Sequence, residues 1–167
     1  MTSESAHIYA VATAYPPHVM QQDDVAAKAA EVFGHKPDYF RRMAAAYGNA
    51  GVETRHSCVP LDWYLEQHGW PERTQLYEQN AIALLTEAGE ACMAAANVLP
   101  ADVAATVIVS STGIVTPSLD SLLQSPLGLN PDVQRLPIFG FGCAGGVGNC
   151  CRFFVLECRA LDASHAG

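Results

Sequence analysis

Cys143 stands in the run Phe139-Gly140-Phe141-Gly142-Cys143-Ala144-Gly145-Gly146, a lone thiol among glycines at the end of a short apolar stretch. Cysteine reacts as its thiolate, and the positive end of a helix raises the thiolate fraction. The residues before Cys143 read as a strand and those after it as helix-capable, which aims the thiol off a strand end over a helix N-terminus. Gly142, Gly145 and Gly146 permit tight turns and let a substrate approach closely. This arrangement fits a catalytic nucleophile. Only 24 residues follow Cys143, and none of them is an obvious catalytic partner.

Three strands and a set of helices are expected to carry that cysteine. His7 to Tyr15 reads as a strand ended by Pro16-Pro17, and Gln22 to Phe33 as a helix with Asp23 and Asp24 in its first turn. Pro37 to Tyr47 reads as a shorter helix closed by Gly48-Asn49, and Val52 to Trp63 as irregular chain. Pro71 to Asn97 has apolar residues near helical spacing and proline in its first turn, so it reads as a long helix broken by Val98 to Asp102. The β-branched run Thr106 to Thr112 suits a strand buried on both faces. A short helix over Leu119 to Gln124 and a strand over Leu136 to Phe141 lead to Cys143. Alternating strands and helices point to a layered α/β architecture, read as one structural unit over 1–167 with 149–167 atypical.

The chain has 167 residues, 50% of them apolar and 16% charged, which suits one globular domain with a core. No apolar run approaches the ~20 residues that span a bilayer, and the first residues do not form a signal peptide. Six cysteines without such a signal suggest reduced thiols in the cytoplasm. A net charge of −8 argues against nucleic acid or an anionic membrane as the main partner. Lys36, Arg41, Arg42 and Arg55 nevertheless place four of the nine cationic side chains in one 20-residue window. They read either as ordinary surface charge or as a patch for an anionic group such as phosphate.

Val109-Ser110-Ser111-Thr112-Gly113-Ile114-Val115-Thr116-Pro117-Ser118-Leu119-Asp120, then Leu127-Gly128-Leu129, then Gly142-Cys143-Ala144-Gly145-Gly146, resemble bacterial type III polyketide synthases. These are the chalcone- and stilbene-synthase-like enzymes of the thiolase superfamily. Phe40-Arg41-Arg42-Met43, Gly51 to Arg55 and Trp63 to Glu66 resemble the N-terminal half of the same family. The resemblance implies the N-terminal half of a thiolase-like layered α/β fold. It implies a cytoplasmic acyltransferase that loads an acyl-CoA starter on Cys143 and extends it with malonyl-CoA by decarboxylative Claisen condensation, the chain then cyclising. It implies CoA thioesters as substrates with no further cofactor and no metal, and a homodimer when the protein is complete. Arg55, with Arg42 and Arg41 beside it, matches residues that contact the CoA phosphates. Ser111 and Thr116 match residues that line the cavity holding the growing chain. Strand packing for Ser111 and a turn role for Thr116 before Pro117 are equally open.

The family's chemistry also needs donors for the enolate and the tetrahedral oxyanion, which a histidine and an asparagine of the C-terminal half supply. His7, His18, His35, His56, His68 and His165 do not match that histidine. Such groups act as a unit, so the 167-residue chain alone is expected not to turn over. A half of this fold would also leave the apolar face of the Cys143 helix uncovered and prone to aggregate.

The resemblance fades after Gly148. There the tail Asn149 to Gly167 holds Cys150, Cys151 and Cys158. It fits an unusual helix in a cut chain, a frameshifted ending, or a metal or redox site. Cys151, Cys158 and His165 recur every seven residues, which is not zinc-ligand spacing. Two rival functions stay open: a chain-initiating ketoacyl-carrier-protein synthase, and a non-catalytic remnant.

Overall fold

The computed structural model describes residues 7–35 and 37–145. Its backbone groups into two compact units, Tyr15–Leu76 and a second made of the stretches 1–14 and 77–167.

The Tyr15–Leu76 unit is built on a small antiparallel ladder. Strand β1 (His18–Gln21) leads directly into helix α1 (Gln22–Val32). Helix α2 (Pro37–Asn49) follows, and strand β2 (Thr54–Ser57) returns along β1 with His18 opposite Ser57 and Gln21 opposite Thr54. A 3-10 turn over Leu61–Leu65 packs on α1. Asp23 and Asp24 lie in the first turn of α1, where the helix dipole favours acids. The ladder corrects the expectation of irregular chain after Val52. Each strand has four residues and buries one, Met20 or Ser57, so no alternation marks it in sequence. Helix α2 also runs through Gly48 and Asn49; the left-handed turn falls at Gly51, φ 62°.

Gln22 ties this unit together. It is buried, and its amide nitrogen donates to the Tyr47 carbonyl at 2.9 Å while its amide oxygen accepts from Arg55 Nε at 2.6 Å. One side chain thereby joins the start of α1, the end of α2 and the middle of β2, with its polar atoms satisfied as burial requires.

Helix α3 (Trp70–Ala96) is the long helix expected. It stops in a Schellman motif: Asn97 takes φ 55°, its N–H reaches the Ala94 carbonyl at 3.2 Å, and the Val98 N–H reaches that of Met93 at 3.0 Å. In the other unit, strand β3 (Ala105–Ser110), helix α4 (Leu119–Leu123) and strand β4 (Gln134–Phe139) make a strand–helix–strand unit with parallel strands. The register pairs Ala105 with Gln134 and Ser110 with Phe139.

Pro137 lies inside β4 yet costs this ladder nothing. The N–H groups of Gln134 and Gly140 both point to β3, at 3.0 Å from the Ala104 and 3.2 Å from the Ser110 carbonyl. An odd-numbered residue between them faces the other edge, so the donor that proline lacks is missing only there.

Leu119, Leu123, Leu129 and Val133 form the buried apolar cluster around α4. Leu123 is 3% exposed, and Leu123→Ala is expected to cost about 2–5 kcal/mol, read as a lowered urea midpoint by circular dichroism. Gly89 sits inside α3 because Leu127 packs on it; a Cβ there would stand 2.9 Å from Leu127 Cδ2.

Two expectations are corrected here. His7 to Tyr15 forms no strand among the described residues, and Ile8 is 82% exposed. Its β-branched and aromatic residues supply propensity, but a strand also needs a neighbour to take its hydrogen bonds. Strand β3 is half-buried at all six positions rather than buried on both faces, because two described strands and their helices cover only part of a sheet.

Candidate active site

The chain leaves β4 through two left-handed glycines, Gly140 at φ 85° and Gly142 at φ 52°. A side chain at either position would strain the backbone, so glycine is what lets the strand reverse there. A 3-10 turn over Gly142–Ala144 follows, closed by the Ala144 N–H on the Phe141 carbonyl at 3.2 Å. Cys143 occupies the centre of that turn, at the carboxyl ends of two parallel strands, where open α/β sheets bind ligands. Gly145 then passes against Val109 of β3, and a Cβ there would overlap the valine's Cγ1. Sequence reasoning singled out Gly142 and Gly145 but missed Gly140, whose role depends on where the β3–β4 ladder ends. Gly146 and the helix expected after Cys143 lie outside the described residues, as do Cys151, Cys158 and His165.

The loop between β3 and α4 is anchored by a residue the sequence did not single out for it. Ser110 Oγ donates to the Gly113 carbonyl at 2.8 Å, which uses its only proton, so Tyr77 of α3 must donate to Ser110 Oγ at 2.6 Å. The Tyr77 ring lies so close over Gly113 that a Cβ there would overlap three ring atoms. Ser111 and Thr116 are exposed on this loop. A cavity of about 260 Å³ at the strand ends is lined by Ser110, Gly113 and Ser118 among others, and by neither Ser111 nor Thr116.

Arg41, Arg42 and Arg55 all fall in the Tyr15–Leu76 unit, whereas Cys143, Ser111 and Thr116 fall in the other. Arg41 is exposed and paired with Asp38 at 2.6 Å, a surface bridge that contributes little to stability. Arg42 is exposed on the same helix. Arg55 is held by Gln22 and borders an apolar cavity of about 310 Å³ with Met20, Val32 and Leu61.

Three of the described histidines, His35, His56 and His68, hold local structure. Among them, His68 stacks on Trp63 with ring centres 3.8 Å apart, and its nitrogens meet Glu72 at 2.7 Å and the Trp63 carbonyl at 2.9 Å. His56 contacts the Pro16 carbonyl at 3.1 Å and His35 that of Val32 at 3.2 Å. Among the described residues no three His, Cys, Asp or Glu side chains could share a metal ion.

Cys58 provides an internal reference thiol. Burial pushes its pKa up, so less of it is thiolate at a given pH than in an unfolded chain. Cys58 is therefore expected to alkylate more slowly in the native than in the denatured chain near neutral pH, as peptide mapping after iodoacetamide would show. By linkage, the contribution of this thiol to stability is present at neutral pH. It is lost as pH rises through the native pKa, above the ordinary thiol range.

Residues 64–153, more than half of the chain, match the model of the N-terminal domain of chalcone and stilbene synthases. The chain belongs to this family. It is 34% identical over 142 residues to 1,3,6,8-tetrahydroxynaphthalene synthase of Streptomyces peucetius subsp. caesius, covering 83% of this chain and 37% of that protein. The crystal structure of 1,3,6,8-tetrahydroxynaphthalene synthase from Streptomyces coelicolor A3(2), a bacterial type III polyketide synthase, superposes with a TM-score of 0.79. It shares 27% identity and covers 89% of this chain and 42% of that one. A type III pentaketide synthase from Neurospora crassa has the same fold, with a TM-score of 0.81 at 22% identity, covering 94% of this chain and 42% of that one. The chain spans about two fifths of the length of the curated relatives it matches. Its fold is the N-terminal half of the thiolase-like layered α/β fold, as the resemblance implied. The match of residues 64–153 takes in Cys143, Ser111 and Thr116 but not Arg41, Arg42 or Arg55. No helix among the described residues is long and apolar enough to cross a membrane.

Proposed function

We propose that this chain is the cysteine-bearing half of a cytoplasmic type III polyketide synthase, with Cys143 as the acyl acceptor. An acyl-CoA starter meets the Cys143 thiolate, the sulfur adds to the thioester carbonyl, and coenzyme A leaves as its thiol while the acyl group stays on Cys143. Malonyl-CoA then loses carbon dioxide to give an enolate, whose carbon attacks the Cys143 thioester and displaces the thiolate. CoA thioesters are the substrates, with no further cofactor. The second step needs donors for the enolate oxygen, so it draws on a histidine and an asparagine from sequence outside these residues. The complete protein is read as a homodimer. Arg55, with Arg42 and Arg41, is read as holding the CoA phosphates, and Ser111 and Thr116 as facing the growing chain.

The placement of Cys143 supports this reading most directly. Its turn is fixed from behind by Gly140, Gly142 and the Gly145–Val109 contact, at the open end of two parallel strands. The test is incubation of the 167-residue chain with an acyl-CoA, followed by intact mass and peptide mapping. A single acyl group on the Cys143 peptide, without condensation product when malonyl-CoA is added, is expected. Acylation spread evenly over all cysteines, or none on Cys143, would sink the reading in favour of a non-catalytic remnant.

A further inference from the structure

One cavity of this acidic chain is bordered only by basic charge. The chain carries 17 aspartates and glutamates against nine lysines and arginines. Yet the cavity of about 310 Å³ in the Tyr15–Leu76 unit is lined by Lys28, Arg55 and His56 and by no acidic side chain. The rest of its wall is mainly apolar, with Met20 from β1, Val25 and Val32 from α1, and Leu61 from the 3-10 turn.

The polar groups on that wall differ in what they have left to give. Lys28 Nζ is spent on Glu31 at 3.3 Å and Asp62 at 3.1 Å. The Ser57 and Tyr64 hydroxyls meet each other at 3.0 Å, and His56 Nδ1 meets the Pro16 carbonyl at 3.1 Å. Arg55 commits only its Nε, to Gln22 at 2.6 Å, and its two Nη groups have no hydrogen-bond partner among the described residues. The bond to Gln22 fixes the plane of the guanidinium, and Arg55 is exposed, so a ligand can reach it.

A fixed guanidinium fork at the edge of an apolar cavity suits a carboxylate on an apolar chain. The fork pairs with both carboxylate oxygens, and the chain takes the apolar wall out of water. The volume lies at the small end of ligand pockets, roughly 300–1,000 Å³. At ~30 Å³ for each non-hydrogen atom, the room a water takes in the liquid, it holds about ten, the size of octanoate.

We propose that this cavity binds an alkyl carboxylate of about eight carbons, its carboxylate on the Nη groups of Arg55 and its chain between α1, the β1–β2 ladder and the 3-10 turn. Arg55 is the one residue this site shares with the polyketide reading, and the site does not rest on that reading.

The test titrates the full chain with octanoate, 1-octanol and acetate by calorimetry, and follows the methionine methyl groups by NMR. Octanoate is expected to bind about fivefold more tightly than 1-octanol, the lower end for a charge-assisted bond at an exposed arginine. Acetate, with the charge but no chain, should not bind measurably. The Met20 methyl, buried in the cavity wall, should shift with octanoate, while those of Met43 and Met93, which do not line it, stay in place. Arg55→Gln should bring octanoate and 1-octanol within about twofold of each other. Ala29→Leu, which fills the cavity from α1 and leaves Arg55 and Gln22 untouched, should abolish binding of both; it decides the matter if Arg55→Gln fails to fold. Octanoate binding no tighter than 1-octanol, no shift at Met20, or binding that survives Ala29→Leu overturns the proposal. Failed acylation of Cys143 with intact octanoate binding rejects the polyketide reading alone, and the reverse result rejects only this site.

Discussion

Replacing Cys143 by alanine should abolish acyl transfer from an acyl-CoA to this chain, and Cys143→Ser should slow it by at least about a hundredfold. A serine hydroxyl is essentially un-ionised at neutral pH, whereas even an ordinary thiol has a few per cent thiolate. The fold should tolerate both changes. The reversal after β4 is enforced by the positive φ of Gly140 and Gly142, and Cys143 itself is not in the left-handed region. Intact mass spectrometry gives the rate and peptide mapping the position. Cys58, with its pKa raised by burial, and Cys92, whose thiol donates to the Ala10 carbonyl at 3.7 Å, serve as native controls. Acyl label that persists in Cys143→Ala at the unmodified chain's rate would show that another nucleophile is at work.

Gly113→Ala should destabilise the chain by about 2–4 kcal/mol although it adds one methyl group. The new Cβ would overlap three atoms of the Tyr77 ring. A ring cannot bend aside as the end of a lysine can, and this one is fixed by α3 at its base and by Ser110 at its hydroxyl. Either β3 and its loop shift, or the ring swings out and the Tyr77–Ser110 bond breaks. Overpacking costs roughly 1–3 kcal/mol and a lost hydrogen bond about 1 kcal/mol more. A thermal midpoint lower by roughly 5–15 °C is the expected reading. In a Tyr77→Ala background the same substitution should cost under about 1 kcal/mol, since the clashing ring is gone. Additive costs in the double variant would show that the strain lies elsewhere.

These two expectations differ in how far the sequence alone leads to them. Cys143 was visible because a lone thiol between glycines after an apolar run has few other readings. Gly113 was visible only as part of a motif, since nothing in the letters near it names Tyr77, 36 positions earlier in the sequence. Helix α3 was legible from its apolar spacing and its proline start, and β4 from its short apolar run. The β1–β2 ladder was not, because four-residue strands with one buried residue each carry no period to detect. His7 to Tyr15 fails in the opposite way: residues that suit a strand, but no ladder among the described residues.

The sequence by itself determined the family and the α/β class and singled out Cys143 as the proposed nucleophile. All three rest on local patterns: residue type, spacing, and glycine where the backbone must turn. Tertiary structure alone decided that Gly140 shares the reversal with Gly142, that Gln22 anchors Arg55, and that the Tyr77 ring stands over Gly113. It also decided that Pro137 is harmless to the β3–β4 ladder. Each of these depends on which distant atom stands opposite, and a hydrogen bond or a steric overlap acts over a few ångströms in space without regard to separation along the chain.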